Sequence, residues 1–277
     1  MSDTFVPATW VAERLDDPAV RVVDVRDAWE YDGIGHLPGA VSIPFDEFRS
    51  GAGAASAAEE ASGDEPRAHG DEGMLPGTER WAELLSAAGI GGDDEIVAYD
   101  DEHGVFAARF LVTAELYGHD PAKLRVLDGD YSAWSRERAT EREAPDPAPT
   151  DYEPGDPVRS PLVGFEEVER RLDGDTVIVD TRDPEEYAAG HLPGATNLDW
   201  LELVDPDTRG LKPRGDLEAV LSDRGVSPDR EVLLYCNTAR RISHTYLVLR
   251  HLGYEDVLFY EGSLTEWEER GGDTVTA

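Results

Sequence analysis

Hydrophobic residues along the chain form short, β-branched runs that are followed by longer stretches with apolar residues at helical spacing. The runs with the length of buried strands are 20–25, 96–99, 176–179 and 231–235. Helical patterns follow two of them, at 105–117 and 241–252. Alternating strands and helices predict an α/β fold with a mainly parallel central sheet flanked by helices. Ligands of such folds bind at the carboxyl ends of the strands.

The sequence repeats itself. Residues 22–43 read VVDVRDAWEYDGIGHLPGAVSI, and residues 178–198 read IVDTRDPEEYAAGHLPGATNL. Two further pairs of similar segments follow in the same order, at 96–118 with 232–254 and at 127–134 with 260–267. A match in several blocks of constant order indicates that both halves have one fold.

The repeat divides the chain into two predicted domains, 1–137 and 161–277. The segment 138–160 between them is rich in proline and acidic residues and has no apolar periodicity, so it predicts an extended linker. A stretch rich in glycine, alanine and acidic residues at 50–73 has no counterpart in the second half. It predicts a solvated excursion on the surface.

Charge narrows the range of partners. The 277 residues include 60 acidic and 25 basic side chains, which gives a formal charge of −35, and only two of the basic residues are lysines. Nucleic acids and anionic membranes are excluded as main partners, because both require clustered cations. We expect an acidic surface adapted to a salt-rich, halophilic cytoplasm.

The N-terminus lacks a signal-peptide pattern and no run of about 18 apolar residues occurs, so we expect a soluble, cytoplasmic protein.

Cys236 is the only cysteine, so the sequence excludes an intramolecular disulfide and a multi-cysteine metal site. It lies where a predicted strand ends and a predicted helix begins, in the sequence CNTARR. Such a loop can direct backbone N–H groups and the positive end of the helix at an anion, which favours a nucleophilic thiolate. Arg240 and Arg241 add positive charge suited to an anionic substrate.

These features resemble those of a tandem-domain rhodanese, a thiosulfate sulfurtransferase or its mercaptopyruvate-using relative. The resemblance covers both halves of the chain and includes Asp24 and Arg26, their repeats Asp180 and Arg182, two GHLPGA segments and the loop of Cys236. It implies two tandem rhodanese-like domains. Tandem rhodaneses typically keep the nucleophile only in the C-terminal copy, and here Asp100 stands at the place of Cys236 in the first half.

The resemblance also implies a mechanism. Cys236 would take the outer sulfur of a donor as a persulfide and pass it to an acceptor such as cyanide or a thiol, without a cofactor or a metal. The persulfide would lie among the amides of the loop, formed by Asn237, Thr238, Ala239, Arg240 and Arg241. The two arginines would hold the oxygens of the donor, which favours thiosulfate.

Two departures from the family pattern concern the donor. An arginine that helps to bind substrate in long relatives is replaced here by Glu186. The loop CNTARR matches neither of the commonest versions for thiosulfate or mercaptopyruvate. A 3-mercaptopyruvate sulfurtransferase and a persulfide carrier that delivers sulfur to a protein therefore remain alternatives.

Other functions compete with sulfur transfer. Dual-specificity phosphatases use the same fold with Cys-x5-Arg, whereas Arg241 gives Cys-x4-Arg, so the loop is one residue short. A non-catalytic binding module would not need the intact cysteine loop. We expect small-molecule donors and acceptors, with a thiol protein as an alternative acceptor, and a monomer, since the two halves provide each other's interface.

The remaining polar residues have structural interpretations. Because the pair Asp24 and Arg26 recurs in the half without a nucleophile, we interpret Asp180 and Arg182 as a supporting ion pair. The same recurrence predicts structural roles for the histidines of the GHLPGA turns, His36 and His191. The sequence predicts that His244 faces solvent on its helix. Trp134 and Trp267 are expected in the core.

Overall fold

The computed structural model describes residues 4–49 and 75–277. The predicted surface excursion at 50–73 lies outside these residues. In the described part of the chain, no helix is both long and apolar enough to cross a membrane.

The first half contains a five-stranded sheet in the order β1-β5-β4-β2-β3, and every neighbouring pair is parallel. Its strands are β1 (Phe5–Pro7), β2 (Val20–Asp24), β3 (Val41–Ser42), β4 (Glu95–Tyr99) and β5 (Leu124–Asp128). Its helices are α1 (Ala8–Ala12), α2 (Ala28–Gly33), α3 (Thr78–Ala87), α4 (Val105–Leu116) and α5 (Tyr131–Glu137).

The second half contains a four-stranded parallel sheet in the order β7-β6-β8-β9. Its strands are β6 (Val177–Asp180), β7 (Thr196–Asn197), β8 (Val232–Tyr235) and β9 (Val257–Phe259). Its helices are α6 (Phe165–Leu172), α7 (Pro184–Ala189), α8 (Arg214–Ser222), α9 (Arg240–Leu252) and α10 (Ser263–Glu269). The sequence prediction of two α/β domains with parallel sheets is confirmed.

The two halves share one hydrophobic core. A single cluster of buried side chains includes Phe110 of α4 and Leu247 of α9, and smaller clusters lie on the outer side of each sheet. All residues of α4 except Phe106 are buried. A helix that is buried on every side has no face for solvent, which explains why its apolar residues are not confined to one stripe.

Buried polar groups also connect the halves. The guanidinium of Arg109 on α4 donates two hydrogen bonds to Glu261, with N–O distances of 3.0 and 2.6 Å. The hydroxyl of Tyr246 on α9 donates to Glu115 on α4 at 2.9 Å. Since burying a charge without a partner is costly, these contacts fix how α4 lies against α9.

The segment between the two halves has no regular helix and contacts the first half at several points. Glu141 forms a two-way backbone bridge with His36. Farther along, the buried Tyr152 stacks on His119 with ring centroids 6.0 Å apart. The segment is thus held on the first half at Glu141 and Tyr152, whereas Arg159 near its end binds Asp256 of the second half at 2.8 Å.

Candidate active site

Cys236 follows the last residue of β8, an inner strand of the second sheet, and precedes α9. Its side chain is a free thiol in a residue that is only 2% exposed. The backbone around it is tightly held. Its N–H donates to Ser263 Oγ at 3.2 Å, and its carbonyl accepts from the N–H of Leu264 at 2.9 Å.

The rest of the loop is fixed by hydroxyl groups and by an unusual backbone conformation. Thr265 Oγ1 donates to the carbonyl of Asn237 at 2.9 Å, and Ser243 Oγ donates to the carbonyl of Ala239 at 2.8 Å. Ala239 has a φ of +61°, a left-handed conformation that costs a non-glycine residue about 1–2 kcal/mol. This turn wraps the loop around the thiol and leads into α9.

Several amides of the loop are left without protein acceptors. The N–H of Arg240 donates to the carbonyl of Thr238 at 2.8 Å and is therefore used within the loop. Within residues 4–49 and 75–277, four other N–H groups donate to no protein atom, namely those of Asn237, Thr238, Ala239 and Arg241. Together with the N-terminus of α9, they provide donors for an anion beside Cys236.

The two arginines of the loop are in different surroundings. The guanidinium of Arg240 lies 4.7 Å from the ring centroid of Phe106, which belongs to the first half. Burial and the neighbouring charge of Arg241 lower the pKa of Arg240, while Cys236 acts in the opposite direction. No carboxylate in the described residues lies within 4 Å of this guanidinium. Arg240 therefore brings positive charge close to the thiol without an ion-pair partner in the described residues, although Glu102 interacts with it electrostatically from farther away.

Arg241, by contrast, has a carboxylate partner. Its Nη1 donates to Glu186 Oε2, and Asn237 Nδ2 donates to the other carboxylate oxygen at 2.6 Å. About a quarter of each of the charged side chains in this pair is exposed. Glu186 thus joins two residues of the cysteine loop from outside it.

Asp180 and Arg182 form the ion pair that the sequence indicates. The pair is buried, with an N–O distance of 2.6 Å, and Asp24 with Arg26 repeats it at the same distance in the first half. Arg182 also donates to the carbonyl of Gly190 at 2.6 Å, while its contact to Asn237 Oδ1 is longer, at 3.4 Å. Both pairs have the buried geometry that a structural role requires, and the supporting role of Asp180 and Arg182 stays a prediction.

The equivalent loop of the first half is occupied by its own side chain. Asp100 is fully buried, and its carboxylate accepts hydrogen bonds at 2.7–3.0 Å from the N–H groups of Glu102, Gly104, Phe106 and Ala107. Burial raises the pKa of Asp100, while these amides act in the opposite direction. Counting from Asp100 and from Cys236, His103 corresponds to Ala239, and both have positive φ.

A segment of the second half covers this first loop. Arg209 Nε donates to both carboxylate oxygens of the buried Asp130 at 2.8 and 2.7 Å, and its Nη2 donates to the carbonyl of Asp101 at 2.9 Å. Nearby, the N–H of Leu211 donates to Asp128 at 2.8 Å. The amides of the first loop are thus bound by its own Asp100, and Arg209 of the second half contacts the loop from outside.

The histidines and tryptophans lie mostly where the sequence predicts. His36 and His191 are buried and stack on tyrosines, with ring centroids 4.0 and 3.7 Å apart. Trp134 and Trp267 are buried in the outer clusters of their domains. The structural roles predicted for these side chains are confirmed.

The prediction for His244 is wrong. Its side chain is fully buried, with Trp200 and Phe5 at ring-centroid distances of 5.1 and 5.9 Å. Neither of its ring nitrogens has a hydrogen-bond partner within the part of the chain that the structure describes. Burial lowers the pKa of His244 to about 3. Helix α9 lies between the two halves, so the face expected in solvent is covered by the first domain.

Sequence reasoning missed the contacts that four residues make with the loop of Cys236. Ser263 and Thr265 hold the loop, and their segment was noted only as part of a repeat. Phe106 reaches the loop from the other half, and no sequence signal connects it with Arg240. The contact between Glu186 and Arg241 was also missed, although the acidic substitution at position 186 was visible.

Comparison with known proteins agrees with this geometry. The family of the rhodanese-like domain matches residues 7–137 and 165–270. The crystal structure of SseA from Escherichia coli, described as a 3-mercaptopyruvate sulfotransferase, is 26% identical and superposes with a TM-score of 0.78. The superposition covers 95% of this chain and 99% of SseA.

Curated relatives extend over nearly the whole chain. A thiosulfate sulfurtransferase of Pseudomonas aeruginosa is 34% identical and covers 93% of this chain and 91% of its own. The sulfur carrier protein TtuD of Thermus thermophilus is 31% identical and covers 96% of this chain and 93% of its own. The chain therefore belongs to the rhodanese family of sulfurtransferases, with one rhodanese-like domain in each half.

Proposed function

We propose that this protein transfers sulfane sulfur from thiosulfate to a thiophilic acceptor through a persulfide on Cys236. The observation that carries the proposal is the position of the thiol beside loop amides that have no acceptor within the described residues. A persulfide anion needs such donors in a site largely shielded from water. We call such a set of loop amides an anion cradle. The cradle of the first half is filled by Asp100, so that half serves as scaffold and as a wall of the site.

The proposed reaction has two displacement steps. The Cys236 thiolate attacks the outer sulfur of thiosulfate, the S–S bond of the donor breaks, and sulfite leaves with the electron pair. The product is a Cys236 persulfide anion. Cyanide then attacks the terminal sulfur, which leaves as thiocyanate and regenerates the thiolate. Charge is balanced in both steps, and neither step needs an outside oxidant or reductant.

We assign roles to the loop residues from their contacts. The amides of Asn237, Thr238 and Ala239 would stabilise the persulfide, and Arg240 would attract the anionic donor. Arg241 would also contact the donor, once it is released from Glu186. Asp180 and Arg182 support the turn that carries Glu186.

Thiosulfate is our first choice of donor, because the cationic loop suits an anion and a relative of similar length is named a thiosulfate sulfurtransferase. Mercaptopyruvate is the second, since SseA has the same architecture. A third alternative is a carrier that gives its persulfide to a protein, which the similarity to the carrier TtuD favours. The three share the persulfide and differ in donor or acceptor.

The test compares the native protein with Cys236→Ser in molar potassium chloride. We expect thiocyanate formation from thiosulfate and cyanide, and an intact mass that rises by about 32 Da, one sulfur atom, after incubation with donor alone. Both signals should be lost in the variant, whose circular dichroism should match the native protein. Activity retained by Cys236→Ser would refute the assignment of the nucleophile. A mass gain without turnover would favour the carrier.

We also propose the setting in which the protein works. The formal charge of −35 suits a salt-rich cytoplasm, where counterions screen the repulsion between carboxylates. The domain limits 1–137 and 161–277, with the linker at 138–160, remain our division of the chain. A monomer is proposed because the two halves already bury each other's inner helices.

A further inference from the structure

Two glutamates occupy equivalent positions in the two halves. Glu30 and Glu186 each lie three residues after the aspartate that begins a short helix, at Asp27 and Asp183. The repeat therefore supplies two copies of one side chain in one fold. Their different contacts show what has changed at the cysteine-containing half.

In the first half, Glu30 caps its own helix. The N–H of Asp27 donates to Glu30 Oε2 at 3.2 Å, which together with the reciprocal bond to Asp27 forms a capping box. Glu186 does not make this bond. Its two carboxylate oxygens instead accept from Asn237, at 2.6 Å, and from Arg241.

The surroundings of Arg241 contain further negative charge. Asp183 and Asp199 both lie close enough to interact electrostatically with it. Arg240, on the other side of the loop, has no carboxylate within 4 Å among the described residues. The loop thus has two arginines, of which one is neutralised by Glu186 and one remains available.

We propose that Glu186 is a specificity residue that selects sulfur donors by their charge. A donor with two negative charges must compete with the Glu186 carboxylate for Arg241, whereas a donor with one negative charge can be bound by Arg240 and the loop amides alone. This inference rests on the proposed function. It predicts that Glu186 weakens the binding of thiosulfate, the donor proposed above, and has little effect on the binding of a monoanionic donor.

A comparison of two donors separates the effect of donor charge from the effect of the sulfur-transfer reaction itself. Thiosulfate carries two negative charges, and methanethiosulfonate carries one. Each gives its outer sulfur to the thiolate, with sulfite leaving from the first and methanesulfinate from the second. The persulfide formed on Cys236 is the same in both reactions, so only donor binding and departure differ.

The experiment measures kcat and KM with both donors for the native protein, Glu186→Gln and the matched control Glu30→Gln. Glutamine keeps the size and an acceptor oxygen but removes the charge that holds Arg241. We expect the KM for thiosulfate to fall about tenfold in Glu186→Gln with kcat unchanged, the effect of one charge-assisted hydrogen bond. The KM for methanethiosulfonate should change less than about twofold, since that donor does not need Arg241. Glu30→Gln should leave both values unchanged.

Two results would overturn the inference. One is an equal change in KM for both donors, which would mean that Glu186 only supports the loop. The other is a rise in KM for thiosulfate, which would mean that Glu186 holds Arg241 in its binding position. A loss of thermal stability in Glu186→Gln without a donor-dependent change in KM would also assign it a purely structural role.

A binding measurement keeps this inference separate from the proposed function. The affinity for sulfite, which cannot donate sulfane sulfur, is measured by calorimetry at a pH above its second pKa, where it is a dianion, in the Cys236→Ser background with and without the further substitution Glu186→Gln. Tighter binding after Glu186→Gln supports charge selection, and unchanged binding contradicts it. Failure of every donor to load Cys236 would refute the proposed function, while the sulfite result would still decide the role of Glu186.

Discussion

The loops that follow β4 and β8 have equivalent positions in their domains, but they differ in whether their backbone N–H groups have an acceptor. After β4, the loop closes around the carboxylate of Asp100, which accepts four backbone hydrogen bonds. After β8, the loop carries the Cys236 thiol and leaves four N–H groups without an acceptor in the described part of the protein. One half therefore fills its loop with its own carboxylate, and the other leaves its loop donors unused within the described residues.

This contrast shows that the anion cradle is a property of the backbone. A parallel strand, a residue with positive φ and the N-terminus of a helix create it in both halves, whatever side chain occupies the first position. The nucleophile decides whether the cradle can take part in a reaction. In the second half we propose that Glu186 then selects what reaches it, whereas Glu30 in the first half caps its own helix.

The strongest test of the filled cradle is Asp100→Asn. Two buried amide donors would lose a carboxylate oxygen and face an NH₂ group, so we expect the free energy of unfolding to fall by about 3 kcal/mol. Urea denaturation measures it. Asp120→Asn is the control, because the Asp120 carboxylate accepts an exposed bond from the N–H of Ala122, whose loss should cost less than about 1 kcal/mol. Equal effects of the two substitutions would contradict a filled anion site at Asp100.

A smaller effect is expected from Arg209→Ala, which removes the cover of the first loop. Asp130 is completely buried and would lose its guanidinium partner, which should lower the free energy of unfolding by about 2 kcal/mol. Arg170→Ala should change it by less than about 0.5 kcal/mol, since Arg170 lies on the surface. Denaturation curves of both variants, measured in the same salt, test the difference. An unchanged free energy of unfolding in Arg209→Ala would show that the contacts of Arg209 with the first loop do not contribute to stability.

The smallest effect concerns His244 between the halves. Its pKa of about 3 in the folded protein lies below the ordinary value of 6.5, so only the unfolded chain takes up its proton as the pH falls below 6.5. Its contribution to stability is therefore present above pH 6.5 and is lost on acidification. Between pH 7 and 5.5 the native protein should lose about 1 kcal/mol more than His244→Phe, measured by urea denaturation at both pH values. Parallel pH dependence of the two proteins would show that His244 is not held neutral.

Much of the architecture could be predicted from the sequence because the apolar runs and the turn residues of one half recur in the other. The strands predicted at 96–99 and 231–235 appear as β4 and β8, with ends that differ by one residue. The ion pair of Asp180 and Arg182 could be predicted because it recurs where no nucleophile exists. Local pattern was sufficient in each of these cases.

What could not be predicted depends on contacts between the halves. His244 was expected in solvent because helix α9, taken alone, has polar residues that fit an exposed face. The ring of His244 is instead covered by Phe5 of the first half and by Trp200. Two further contacts join residues more than 100 positions apart: the bond from Arg209 to the carbonyl of Asp101 and the contact of Phe106 with Arg240. Hydrophobic periodicity describes only neighbouring positions and cannot predict such contacts.

The shared core around α4 and α9 has a consequence for how this protein could have changed over time. A duplicated domain can normally be lost or recombined as a separate unit, but here each half completes the interior of the other. An isolated catalytic half would expose the buried apolar residues of α9, such as Leu247, to water and tend to self-associate. The first half, although it has no nucleophile, is thus retained for as long as the second is needed, and the two copies can diverge only together.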